Sequence, residues 1–260
     1  MATYDWAVDA FWGSRLPEPT LGSDATSQVT PQNIGLQSVK SAVFVVFDLE
    51  TTGLEPKKER IVEIGAIKFD QRGPIGRFSV LVNPGVPMPP EASKINGITD
   101  TMLMGKPSLD EVLPDFVRFI ADTVIIAHNA PFDCSFIDAA LAERYERDHK
   151  SKQEDKAQGS LLADNPETSE GNAPVRRETW VPPFAALPNR VVDTRIFAKD
   201  MFPGRWKYSL QELAKYFGIE ALDAHRAEDD ARVCMELFLK CVEKAVGKDV
   251  PVYSQQTSQP

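Results

Sequence analysis

A single α/β domain built on a five-stranded mixed sheet is the fold class this sequence predicts, and three observations carry it. Apolar runs at 42–48, 61–69 and 76–82 are joined by the turn-forming sequences Thr51-Thr52-Gly53 and Asp70-Gln71-Arg72-Gly73-Pro74. Links that short favour an antiparallel meander. Two further apolar runs, at 124–127 and 191–192, alternate with helix-periodic segments, which is the pattern of an α/β sheet flanked by helices. Finally, 260 residues with 42% hydrophobic and 26% charged content suit a soluble chain with a sizeable core.

Residues 1–39 carry Trp6, Phe11 and Trp12 and then a Pro/Ser/Thr/Gln-rich stretch without periodicity, which reads as a flexible N-terminal arm. The domain spans 40–246. After the meander, helices are expected near 91–95 and 108–121, and another starts at Pro131, a residue suited to a first helical turn. Residues 147–187 are rich in Lys, Glu, Asp, Ser, Gly and Pro with little to bury, and are expected to form a long mobile insertion. Order returns at Val191-Val192, followed by helices near 194–201 and 209–217 and an amphipathic helix over 228–246. Residues 247–260 are a polar tail.

The net charge is −9, which argues against a protein that holds polyanions by bulk basic charge, though not against local basic contacts. Cys134, Cys234 and Cys241 show neither a disulfide framework nor metal-ligand spacing, so a reducing compartment and a cytoplasmic location are expected. No secretory signal and no apolar run long enough to span a membrane is visible.

The chemistry is concentrated in carboxylates at unexpected places. Asp48 and Glu50 end the apolar run from Ser41, and residues i and i+2 of a strand share a face. Two adjacent acids do not both stay ionised without compensation. They are either surface acids at a strand end or ligands of a hard divalent cation such as Mg²⁺ or Mn²⁺. Asp133 is followed at +3, +4 and +8 by Phe136, Ile137 and Leu141, so it lies on the apolar stripe of its own helix; Asp138 is an alternative with a weaker apolar surround. Asp230 likewise continues the stripe of Val233, Cys234, Leu237, Phe238 and Cys241, whereas Glu228 and Asp229 suit an acidic first turn. An isolated buried carboxylate is costly unless paired or metal-bound. One strand and two helices each aim an acid inward, and a shared metal site is the economical account. His225, five residues before Asp230, falls on the preceding loop, where an imidazole can act as general base near neutral pH. His128 reads as structural and His149 as solvated.

Together these stretches resemble the DnaQ-like DEDD superfamily of 3′→5′ exonucleases, in the subgroup with a histidine in the third motif. The matching sequences are Phe47-Asp-Leu-Glu-Thr-Thr-Gly53 with Ile61-Val-Glu-Ile-Gly-Ala66 behind it, His128-Asn-Ala-Pro-Phe-Asp133, and His225-Arg-Ala-Glu-Asp-Asp230. Order and spacing agree from about 43 to 243. Asn96-Gly-Ile-Thr99 departs from the histidine many relatives have before that glycine.

The resemblance implies an RNase H-like fold and two divalent metals, Mg²⁺ or Mn²⁺, held by Asp48, Glu50, Asp133 and Asp230. It implies His225 as the base that takes a proton from the attacking water, and release of nucleoside 5′-monophosphates from a nucleic-acid 3′ end. It places Thr51, Thr52 and Leu54 at the terminal nucleotide. Asn129 and Phe132 are placed for hydrogen bonding and packing against it, with helix capping and core packing as their alternative roles. DNA is the expected substrate because the first two motifs read most like proofreading members, with a DNA polymerase subunit as candidate partner. An RNA 3′-trimming enzyme and a non-catalytic binding or scaffold subunit are the competing readings; the binding-module reading predicts a missing acid, and none is missing.

Overall fold

The computed structural model describes residues 43–162 and 180–246. Strands β1 (Phe44–Thr51), β2 (Ile61–Asp70), β3 (Gly73–Leu81), β4 (Val124–Ala127) and β5 (Val191–Asp193) form one sheet in the order β3-β2-β1-β4-β5. β1, β2 and β3 pair antiparallel, and β4 and β5 add in parallel. The mixed five-stranded sheet expected from the turn lengths is therefore present. Its helices are α1 (Pro90–Asn96), α2 (Asp100–Leu103), α3 (Leu109–Ile120), α4 (Pro131–Leu162), α5 (Thr194–Met201), α6 (Leu210–Phe217) and α7 (Ala227–Val246). No described helix is long and apolar enough to cross a membrane.

Strand alternation splits β1 between two cores. Phe44 and Val46 join the core built with α5, α6 and α7, while Val45, Phe47 and Leu49 join the one built with α3 and α4. Asp48 and Glu50 share the parity of Phe44 and Val46, so they emerge on the α7 face. The Phe238 ring of α7 meets Phe44 at 5.5 Å and Phe69 at 6.0 Å between centroids, which clamps the helix across β1 and β2. Cys234 and Cys241 are buried in that core, as their seven-residue spacing suggested.

Gly65 of β2 sets how closely α7 approaches. It is the register partner of Asp48, and a Cβ there would lie 2.1 Å from the Ala227 carbonyl carbon and the Glu228 nitrogen. Only glycine lets the first turn of α7 rest on the sheet beside Asp48.

Within the expected 147–187 insertion, the described parts hold a helix and several core contacts. Residues 147–162 continue α4; Lys, Glu, Gln and Ala are good helix formers even where they have nothing to bury. On the return, Trp180, Phe184 and Leu187 pack against the α3/α4 core. Arg144 donates to the Trp180 carbonyl at 3.0 Å and to Asp148 at 2.9 Å, and the Leu187 N–H donates to Asp138 at 2.7 Å. Residues 163–179 of the expected insertion, the 1–39 arm and the 247–260 tail lie outside the described residues.

Candidate active site

Three elements converge at the end of β1. Asp48 and Glu50 come from the strand, Asp133 from the first turn of α4, and Asp230 from the first turn of α7. The Leu49 N–H donates to Asp133 Oδ1 at 3.1 Å, tying α4 to the strand between the two acids. His225 stands just before α7 with φ of +66°, in the left-handed region that non-glycine residues seldom occupy. Its N–H donates to Asp230 Oδ2 at 3.2 Å. Ligand atoms of Glu50, His225 and Asp230 all lie within 4.8 Å of one another. Asp48, Glu50, Asp133, His225 and Asp230 line one open cleft of about 390 Å³.

Among the described residues, positive charge reaches these acids only from a distance, His225 and Arg232 opposing the rise at Asp230. None of the four forms a salt bridge with a described residue. Burial pushes Asp48 well above the carboxylate range, and Asp133, Asp230 and Glu50 push it further. Burial, then Asp230 and Glu63, raise Glu50 to about 8 against an opposing hydrogen bond from Asn96. Burial also raises Asp133 to about 8, although its own N–H and that of Leu49 oppose the shift. Asp230 rises to about 6 by burial, opposed by the His225 N–H. Four carboxylates and an imidazole, oxygen-rich and short of positive charge, fit the donor preference of a hard divalent cation.

Glu63 is the counter-example beside them. It is 2% exposed and opposes Glu50 in the β1–β2 register. Arg226 grips it through Nε at 3.1 Å and Nη2 at 2.8 Å, and the Ala227 N–H adds a third bond at 3.1 Å. This pairing anchors the start of α7, and with it His225 and Asp230. Sequence reasoning missed it. The available signal was a charge inside the apolar run Ile61-Val-Glu-Ile64, matched by an arginine next to His225.

The residues expected at the terminal nucleotide divide. Asn129 and Phe132 line the cleft. Thr51, Thr52 and Leu54 do not, and hydrogen bonding within the turn explains it for the threonines. Thr51 Oγ1 donates to the Gly53 carbonyl at 2.6 Å, and Thr52 Oγ1 donates to Glu59 at 2.6 Å and accepts from the Arg60 N–H at 2.9 Å. Leu54 is 80% exposed outside the cleft. Arg195, Ser209, Leu210 and Gln211 line the cleft unforeseen. They arrive from the segment after β5, and no local periodicity marks them. His128 has both ring nitrogens engaged at 2.9 Å, by Thr194 Oγ1 and the Tyr208 carbonyl, and burial lowers its pKa. That is a structural histidine.

Comparison with known proteins finds a match to the RNase T family model, described as exonuclease, over residues 45–162 and 176–238. The DNA polymerase III subunit epsilon of Treponema pallidum (strain Nichols) is 45% identical over 197 residues, 75% of this chain and 74% of that one. The DNA polymerase III subunit epsilon of Aquifex aeolicus (strain VF5) is 29% identical over 216 residues, 83% of this chain and 88% of that one. Among solved structures, exonuclease X in complex with 5′ overhanging duplex DNA aligns with a TM-score of 0.52 at 23% identity, covering 80% of this chain and 95% of that one. That last likeness is one of fold.

Proposed function

The chain belongs to the exonuclease family, and from that membership and the site geometry we propose that it is a metal-dependent 3′→5′ exonuclease acting on single-stranded or frayed DNA ends, in a proofreading role beside a DNA polymerase. The observation that carries the reading is the meeting of four carboxylates, Asp133 and Asp230 buried and Asp48 and Glu50 half-buried, with one loop histidine and with no salt bridge to a described cation. Two relatives named as DNA polymerase III epsilon subunits, each matched over about three quarters or more of its length, support DNA and a polymerase partner. Cytoplasmic work agrees with those names and with the free cysteines Cys134, Cys234 and Cys241.

Asp48, Glu50, Asp133 and Asp230 would hold two Mg²⁺ or Mn²⁺ ions. When bound, such ions supply an acidified water and offset charge on the phosphate. The chain's own residues do the rest. An imidazole nitrogen of His225 takes the proton of the attacking water, and the Asp230–His225 backbone bond keeps that ring over the cleft. Phe132 packs on the terminal base, and Asn129, whose Oδ1 is held by Arg195 Nη1 at 3.1 Å, borders the sugar-phosphate. The hydrolysis yields a nucleoside 5′-monophosphate and a strand shortened at its 3′ end. The catalytic unit is residues 40–246, with 1–39 and 247–260 dispensable for chemistry.

The test is hydrolysis of matched single-stranded DNA and RNA with Mg²⁺ or Mn²⁺. DNA should shorten from its 3′ end, faster at a mismatched than a matched duplex end because fraying costs less there. Degradation from the 5′ end, or cuts in a closed circle, would overturn the reading. Preference for RNA would overturn the substrate. His225→Asn should lower kcat by about 10²- to 10⁴-fold, the range of general-base catalysis.

A further inference from the structure

We infer that a basic groove next to the carboxylate cleft is the track for the single strand leading to the 3′ end, with Trp206 as its stacking platform; the inference rests on the exonuclease reading above. The groove holds about 660 Å³ and is lined by Arg195, Lys199, Arg205, Trp206, Lys207 and Tyr208. Asn129, Arg195 and Ser209 line both it and the cleft, so the two are continuous.

Charge distinguishes this groove from the rest of an acidic chain. Residues 195–207 carry four cations and one acid, Asp200, in a chain of net charge −9. Several arginines elsewhere are paired with acids: Arg77 with Glu228, Arg144 with Asp148, Arg226 with Glu63 and Arg232 with Asp229. Among the described residues, Arg195, Lys199, Arg205 and Lys207 form no salt bridge. Asp193 also lines the groove, but it is 8% exposed and its Oδ1 accepts the N–H groups of Asn129 and Arg195. Arg205 lies 3.5 Å from the Tyr216 ring centroid and its buried Nε has no hydrogen-bond partner. Their charge is not neutralised by a salt bridge to a described acid and can act on phosphates, even though Arg195 also holds Asn129 and Arg205 stacks on Tyr216.

Trp206 is 95% exposed, between Arg205 and Lys207. An indole in that position contributes nothing to the core, yet its face can stack on any base. Sequence-tolerant stacking between backbone contacts is what an enzyme removing every nucleotide in turn requires. The polarity also fits: the acidic cleft repels a phosphate chain, so the strand needs an attractive surface just outside it.

Binding of a fluorescein-labelled oligothymidylate to the full-length protein in EDTA tests the groove without hydrolysis. Lys199→Gln with Lys207→Gln should make log K less dependent on log salt by about 1.4, at ~0.7 per single-strand phosphate contact. Trp206→Ala should weaken binding by about tenfold. Both variants should raise KM for a long strand. They should hydrolyse the p-nitrophenyl ester of thymidine 5′-monophosphate, which reaches only the cleft, at the wild-type rate. Unchanged affinity and salt slope would overturn the inference, as would equal losses on the ester and the strand. An ester inert with wild-type protein and Mg²⁺ or Mn²⁺ would instead sink the exonuclease reading, and binding in EDTA would still decide the groove.

Discussion

Glu50 and Glu63 face each other across β1 and β2, and the chain treats them in opposite ways. Glu63 receives a bidentate arginine and a backbone N–H. Glu50 forms no salt bridge with a described residue and is pushed to about 8 by burial and by Asp230 and Glu63. Both are acids in one sheet, within one register pair. A fold that can place Arg226 on the first could have paired the second; among the described residues no cation forms a salt bridge with Glu50, Asp48, Asp133 or Asp230, which suits acids whose charge a ligand offsets better than a packing accident. An acid kept for structure is neutralised from within the chain; an acid kept for chemistry is left for a ligand to neutralise.

The strongest way to break that contrast is to neutralise one site acid. Asp48→Asn should lower hydrolysis by about 10³-fold or more, the scale of losing a transition-state charge stabiliser. The same change should raise the Tm of the metal-free protein, because it removes a charge that Asp133, Asp230 and Glu50 all oppose. Near-normal turnover, or a fall in metal-free Tm, would dissolve the distinction.

Glu63→Ala should do the reverse. It should destabilise the protein by about 3 kcal/mol, toward the lower end for breaking a buried pair, because the Arg226 side chain is 33% exposed and can rehydrate. Denaturant unfolding with and without Mg²⁺ should show the loss in both. A loss confined to the metal-loaded form would assign Glu63 to the metal site instead.

Gly65→Ala sharpens the comparison through geometry alone. A methyl group 2.1 Å from the Ala227 and Glu228 backbone must push α7 off the sheet, at about 2 kcal/mol for overpacking. Asp230 and His225 then move away from Asp48 and Glu50, so divalent-cation affinity read by calorimetry should fall along with stability.

The smallest expected effect is on pH. Glu50 and Asp133, raised to about 8 in the folded chain, and Asp230, raised to about 6, bind protons more tightly folded than unfolded. In EDTA, stability is therefore greatest near the ordinary carboxylate values and declines as pH rises through about 6 and then about 8. Divalent cations favour the ionised acids, so the gain in Tm on adding Mg²⁺ should grow over the same window. A metal-free Tm that climbs between those pH values would contradict the unpaired state of the cluster.

The sequence by itself determined the sheet class, the strand that presents Asp48 and Glu50, and the inward stripes of Asp133 and Asp230, because each is a local matter of period 2 or 3.6 within one element. It also carried the motif spacing on which the family resemblance rests. It gave no sign that the Thr51 and Thr52 hydroxyls are engaged by hydrogen bonds within their own turn, and it did not reveal the helix over residues 147–162, because composition without an apolar stripe hides one. Only the tertiary structure could decide the rest. The Glu63–Arg226 clamp joins residues 163 positions apart, the seating of α7 depends on an absent Cβ at Gly65, and the basic groove meets the cleft only because the segment after β5 folds back beside Asn129. Contacts of that kind depend on which surfaces the packed cores bring together, and no periodicity along the chain encodes them.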